Sequence, residues 1–201
     1  MVQPHQPPPL PLRMGRVEVT VSPLFFCLFA VLLLYEPRGV AAGCLAASLL
    51  HECGHLAAML TCRTLPRSVT VGVFGMRIEK DTDLTLSLQN EFWIAAGGPA
   101  VNLLCGCLFL IYEKTYAAAI QFAVAGLNIL PVFPLDGGMM LQCVLHRFLP
   151  AHTADVALRV VSLAVVFPLG VLGFLVLIRS GYNASLLAVD VYLIVLLLFK
   201  H

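Results

Sequence analysis

Charge is what this 201-residue sequence has least of. Asp, Glu, Lys and Arg make up 11% of it, against about 25% in a soluble domain, while 60% of the residues are apolar. So few charges cannot cover a water-exposed surface, so the chain reads as an all-α polytopic membrane protein. The net charge of +1 says nothing about nucleic acid, and with no basic cluster no such partner is expected. Cysteine is present in an odd number, seven, mostly inside apolar runs, which suits buried thiols better than a disulfide framework. A cleavable signal is also missing. The opening MVQPHQPPPLPL is proline-rich, and residues 1–18 read as a disordered tail. Arg13 and Arg16 then flank an apolar segment with no small-residue cleavage site after it, which makes that segment a span.

What is there is apolar sequence in lengths that suit a bilayer. Six segments, at about 19–35, 39–62, 95–112, 117–135, 157–178 and 184–199, read as transmembrane helices of one domain covering 19–200. With both termini cytoplasmic, Arg13, Arg16, Arg63, Arg67, Arg77, Lys80, Arg147, Arg159 and Lys200 fall inside, and only Arg38, Lys114 and Arg179 outside. That asymmetry favours a multi-pass cell-membrane protein in this orientation. The 63–91 connection is the one long polar stretch. Ser68–Glu79 is β-branched and glycine-punctuated, and Asp83–Leu88 alternates, so both read as strands of a small interfacial β-hairpin region between spans two and three. An edge strand there can pair with an extended peptide.

Within the second span lies His51-Glu52-Cys53-Gly54-His55. On a helix, His-Glu-x-x-His places two imidazoles one turn apart on one face, where both can ligate one Zn²⁺. Glu52 then stands where it can take a proton from the attacking water. From Val40 to Cys62 it is the sole charge, and a carboxylate at that depth is costly unless it is paired, protonated or functional. Cys53, between the ligands, points off the metal-facing side. Asp190, in the sixth span, is a second costly carboxylate with no role assigned by its surroundings.

Two histidines leave a zinc site short of its third protein ligand. Glu79, Asp81, Asp83 and Glu91 lie in the polar connection, where solvated carboxylates are ordinary, and Asp155 suits a helix N-terminus. Asp136 differs. It follows Asn128-Ile129-Leu130-Pro131-Val132-Phe133-Pro134-Leu135 and precedes Gly137-Gly138, so it abuts an apolar span where the backbone must unwind. Asp136 is therefore the expected third ligand.

Together these motifs resemble the site-2 proteases, a family of intramembrane zinc metalloproteases. His51-Glu52-x-x-His55 and Asn128-x-x-Pro131-x-x-Pro134-Leu135-Asp136-Gly137 match the family's two motifs in order. Gly97-Gly98-Pro99-Ala100-Val101-Asn102 is similar to its Ala-Gly-Pro-x-x-Asn signature, with Gly97 in place of Ala. The resemblance covers residues 20–200. It implies one Zn²⁺ held by His51, His55 and Asp136, with Glu52 as general base. It also implies a substrate site lined by Asn102, Asn128, Pro131 and Pro134. The layout is most similar to the stage IV sporulation branch, whose members often carry a nucleotide-sensing domain after span six. Neither that domain nor a PDZ-like insertion is found in these residues, so regulation by either is not expected within this chain. The implied partner is a membrane-tethered protein, cut to release a cytoplasmic fragment such as a sigma factor. A membrane-protein regulator or a second copy of the chain are further candidate partners. The alternative is a transporter moving metal ions or protons through the same His/Glu cluster. The absence of an inverted repeat and of His-rich loops speaks against it.

Overall fold

The computed structural model describes residues 10–14, 17–21, 39–64, 66–72, 75–80 and 87–180, together with residues 191 and 194. Two helices follow from long, predominantly apolar sequence, α1 (Val40–Thr61) and α2 (Leu88–Ile111). At 22 and 24 residues, both match a hydrocarbon layer of about 30 Å at a rise of about 1.5 Å per residue. The third, α3 (Thr115–Ile129), stops short because Pro131 and Pro134 cannot continue it. Residues 130–135 form a turn, and the chain then enters the amphipathic α4 (Asp136–Phe148) and the long α5 (Ala151–Ser180). Among the described residues, α1, α2 and α5 are long and apolar enough to cross a membrane, and α3 is a shorter apolar helix.

The helices are packed inside out relative to a soluble protein. Leu104, Ile111, Phe167 and Phe174 are exposed, whereas the interior holds Ala47, Ala118, Ala125 and Ala154 with the polar Asn102, Gln121 and Ser162. Small residues let helices approach closely, and polar side chains bridge them where water is absent. The central helix is α2, which packs against α1, α3 and α4, while α4 also packs against α5. A methyl group on Gly97 would lie 2.6 Å from the Gly54 carbonyl oxygen, so α1 and α2 touch backbone to backbone there. This contact accounts for Gly97 standing where the family signature has Ala.

Four strands form a sheet in the order β1 (Leu10–Met14), β2 (Val17–Val21), β3 (Pro66–Gly72), β4 (Gly75–Lys80). β1 and β2 pair antiparallel, β2 and β3 parallel, and β3 and β4 antiparallel. Several expectations change here. Residues 10–14 are a strand and not part of a disordered tail, and Val17–Val21 is a strand where the first span was expected to begin. Both strands find partners, and β2's is far away in sequence. The stretch Ser68–Glu79, expected to be one strand, is divided between β3 and β4. Leu88, expected to end a strand, opens α2, because the Ser87 side chain accepts a hydrogen bond from Asn90 N–H at 3.2 Å and caps the helix. Helix α3 ends at Ile129, short of the expected 135, and Gly137-Gly138 belong to α4 and not to the break. The remainder of the first span, residues 83–86, and the sixth span with Asp190 lie outside the described residues, save for residues 191 and 194.

Candidate metal centre

The chemistry of the site is set by which ring nitrogens carry protons. His55 Nδ1 lies 2.7 Å from the Ile94 carbonyl oxygen. A carbonyl only accepts, so Nδ1 holds the hydrogen and Nε2 keeps its lone pair. For His51 the partner is Asn102 Oδ1, 2.6 Å from Nδ1. The Asn102 amide cannot be reversed, because its Nδ2 donates to the Ala47 carbonyl oxygen at 3.0 Å and also to Gln121 Oε1. His51 therefore also donates from Nδ1 and presents a bare Nε2.

Those two bare nitrogens face each other at 3.1 Å, with no hydrogen of their own to share. Asp136 closes the triangle: Oδ2 is 2.8 Å from His51 Nε2, and Oδ1 is 3.4 Å from His55 Nε2. Three lone-pair donors converge on one point with little solvent around them. A single proton can bridge only one pair at a time, whereas one cation satisfies all three. Zinc bonds of about 2.0–2.1 Å in a tetrahedron put ligand atoms about 3.3 Å apart, within the range seen here. Two imidazoles and a carboxylate are a common zinc donor set, and they leave a fourth position open. Among the described residues, His51, His55 and Asp136 form a group able to hold a metal ion.

Space for that ion depends on Gly98. A methyl group there would lie 2.5 Å from His55 Nε2 and 2.6 Å from His51 Nε2, against the atoms that would hold an ion. Glu52 is the next residue after His51 and therefore projects about 100° away around the helix, half-buried, off the ligand face. It remains close enough to interact electrostatically with His55, His51 and Asp136. Cys53 is exposed, pointing away from the cradle.

The residues expected to line the substrate site behave differently. Asn102 is fully buried with its polar atoms committed to His51, Ala47 and Gln121, so it supports a ligand and has no face left for a substrate. Asn128 is half-buried, and its Nδ2 donates to Val124 in its own helix at 3.0 Å. Pro131 and Pro134, also half-buried, form the turn that delivers Asp136. Gln121 was not singled out from the sequence, and Gly98 was named only as part of the Gly-Pro-x-x-Asn signature, with no role of its own. For Gln121 a signal existed, as an amide in an apolar helix must find a partner. For Gly98 the signature marks the position but not its contact with the two histidines, which is tertiary.

No family model matches the chain. It is similar to Stage IV sporulation protein FB of Bacillus subtilis (strain 168), 24% identical over 147 residues, which cover 69% of this chain and 51% of that protein. The chain thus spans about half the length of the curated relative it matches. Its fold is similar to a solved structure, the site-2 protease from Methanocaldococcus jannaschii, with a TM-score of 0.64 at 17% identity. That match covers 92% of this chain and 91% of the other.

Proposed function

We propose that this chain, a site-2-protease-family protein, is an intramembrane zinc metalloendopeptidase acting on a membrane-tethered protein. The observation that carries this reading is the convergence of three bare acceptor atoms: His51 and His55 on α1, and Asp136 at the start of α4, 85 residues after His51. Similarity to Stage IV sporulation protein FB and the site-2 protease fold support it.

In this reading His51, His55 and Asp136 hold one Zn²⁺, which supplies Lewis-acid polarisation of the scissile carbonyl and acidifies a water at its open position. Glu52 takes the proton released as the water oxygen bonds to the carbonyl carbon. It then delivers a proton to the leaving nitrogen as the C–N bond breaks. The donated Nδ1 hydrogens of His51 and His55 keep both rings oriented throughout. A helical substrate has its amides already hydrogen-bonded, so the segment to be cut must unwind. β4, at one edge of the sheet, is suited to pair with such an extended segment.

With both termini cytoplasmic, α1 runs from outside to inside, and His51 and His55 lie about 9–15 Å from its inner end at Thr61. The short α3 brings Asp136 to the same depth. Cleavage in the inner half of the bilayer would release a cytoplasmic fragment, a sigma factor being one such cargo. Co-expression with single-span proteins tests this: wild type should generate a soluble cytoplasmic fragment and Glu52→Gln none. Equal cleavage by both, or metal uptake into liposomes without cleavage, would overturn the proposal. Orientation has its own test. Thr82→Cys in a cysteine-free background should label from the cytoplasm only, and labelling from outside would invert the topology.

A further inference from the structure

We infer that Gln121 is a positioning residue for the metal centre, acting through Asn102 on His51. The inference rests on the zinc reading above and concerns a residue that touches neither metal nor substrate. Gln121 is 3% exposed in the middle of α3, among Ala119, Ile120, Phe122 and Ala123. Its Oε1 accepts one Nδ2 hydrogen of Asn102, and the Ala47 carbonyl accepts the other at 3.0 Å. Asn102 Oδ1 is thereby left to accept from His51 Nδ1 at 2.6 Å.

The consequence lies in the alternative orientation. Reversing the Asn102 amide would present Nδ2–H to His51 Nδ1, which would then have to be the unprotonated nitrogen. The ring hydrogen would move to Nε2, the atom that faces Asp136 and His55, and His51 would cease to be a ligand. The reversed amide would also set Oδ1 against the Ala47 carbonyl oxygen and break the hydrogen bond to Gln121 Oε1, in a buried site where such mismatches are costly. The Ala47 carbonyl on α1, which can only accept, fixes the orientation, and Gln121 on α3 reinforces it by accepting the second Nδ2 hydrogen. Three helices thus cooperate in selecting one tautomer of one ligand.

The test measures metal binding by the full chain in detergent micelles, using Zn²⁺ competition with a chelator and the visible spectrum of bound Co²⁺. Gln121→Met keeps the length and removes the acceptor; Gln121→Leu does the same with a different shape, should the first fail to fold. Each is expected to weaken Zn²⁺ binding about 10-fold and to alter the Co²⁺ bands, as loss of an outer hydrogen bond to a ligating histidine does. Gln121→Glu, which retains an acceptor oxygen, should recover affinity to within about threefold. Added to Asn102→Ala, Gln121→Met should cost nothing further, since coupled residues are not additive. Wild-type affinity in Gln121→Met, or losses that multiply in the double variant, would overturn the inference while leaving the zinc reading standing. A wild-type chain that binds neither metal would overturn both.

Discussion

The candidate metal cradle is assembled from two regions built on different principles. The histidines stand at the α1–α2 crossing, where Gly54 and Gly97 bring backbones together and both Nδ1 atoms are tied to buried acceptors on α2. Asp136 opens α4 directly after the turn at residues 130–135. That turn is held by the Val132 N–H donating to Leu130 O at 2.7 Å, by the Phe133 N–H donating to Ser162 Oγ at 3.1 Å, and by Val132 packing on Val166. Ser162 and Val166 belong to α5, so the third ligand depends on a helix that the first two do not use. One half of the site is preset by helix packing. The other half is completed by docking of α5.

The most severe way to break the comparison is to attack the preset half. Gly98→Ala would place a methyl group against both Nε2 atoms, and flanking helix contacts leave neither ring room to retreat. Zinc affinity should fall by about 100-fold or more with helix content retained, read by bound metal and circular dichroism. Gly43→Ala is the control, since the added methyl meets only the flexible end of Ile120.

A smaller loss should come from the docked half. Ser162→Ala removes the acceptor for the Phe133 N–H in a buried setting, costing about 1–3 kcal/mol of stability. Its zinc affinity should fall about 10-fold, through Asp136 alone. If Ser162→Ala left both melting temperature and affinity unchanged, α5 would not be what holds the turn. The smallest effect belongs to the exposed end of α4. His146 Nε2 pairs with Asp155 Oδ1 at 2.8 Å, linking α4 to α5 near water. His146→Ala should cost under about 1 kcal/mol and leave zinc binding unchanged, because such pairs are solvated.

The same division marks what could be read from sequence. That His51 and His55 lie together was legible because helical spacing alone puts the two imidazoles on one face. The placing of Asp136 beside them was legible because it is the carboxylate that abuts an apolar run where Pro131 and Pro134 break the backbone. Asn102 was assigned to the substrate because its motif gives its place in the chain but not the direction of its side chain. That direction is set by Ala47, His51 and Gln121, none of them near it in sequence. The sheet was only partly legible for a similar reason: β2 pairs with β3 across residues 22–65, and no local pattern announces a distant parallel partner. Ser87 was read as strand because serine fits an alternating pattern as readily as it caps a helix.

The central claim is that His51, His55 and Asp136 bind the metal while Glu52 performs the proton transfer. It is tested most directly by measuring bound zinc and substrate cleavage on the same preparations of wild type, Glu52→Gln and Asp136→Asn. Glu52→Gln should retain one zinc per chain and lose cleavage by a factor of about 100 to 10,000, the range for removing a general acid–base group. Asp136→Asn should lose the zinc and the cleavage together. Cleavage at the wild-type rate by Glu52→Gln, or undiminished zinc binding by Asp136→Asn, would contradict the account.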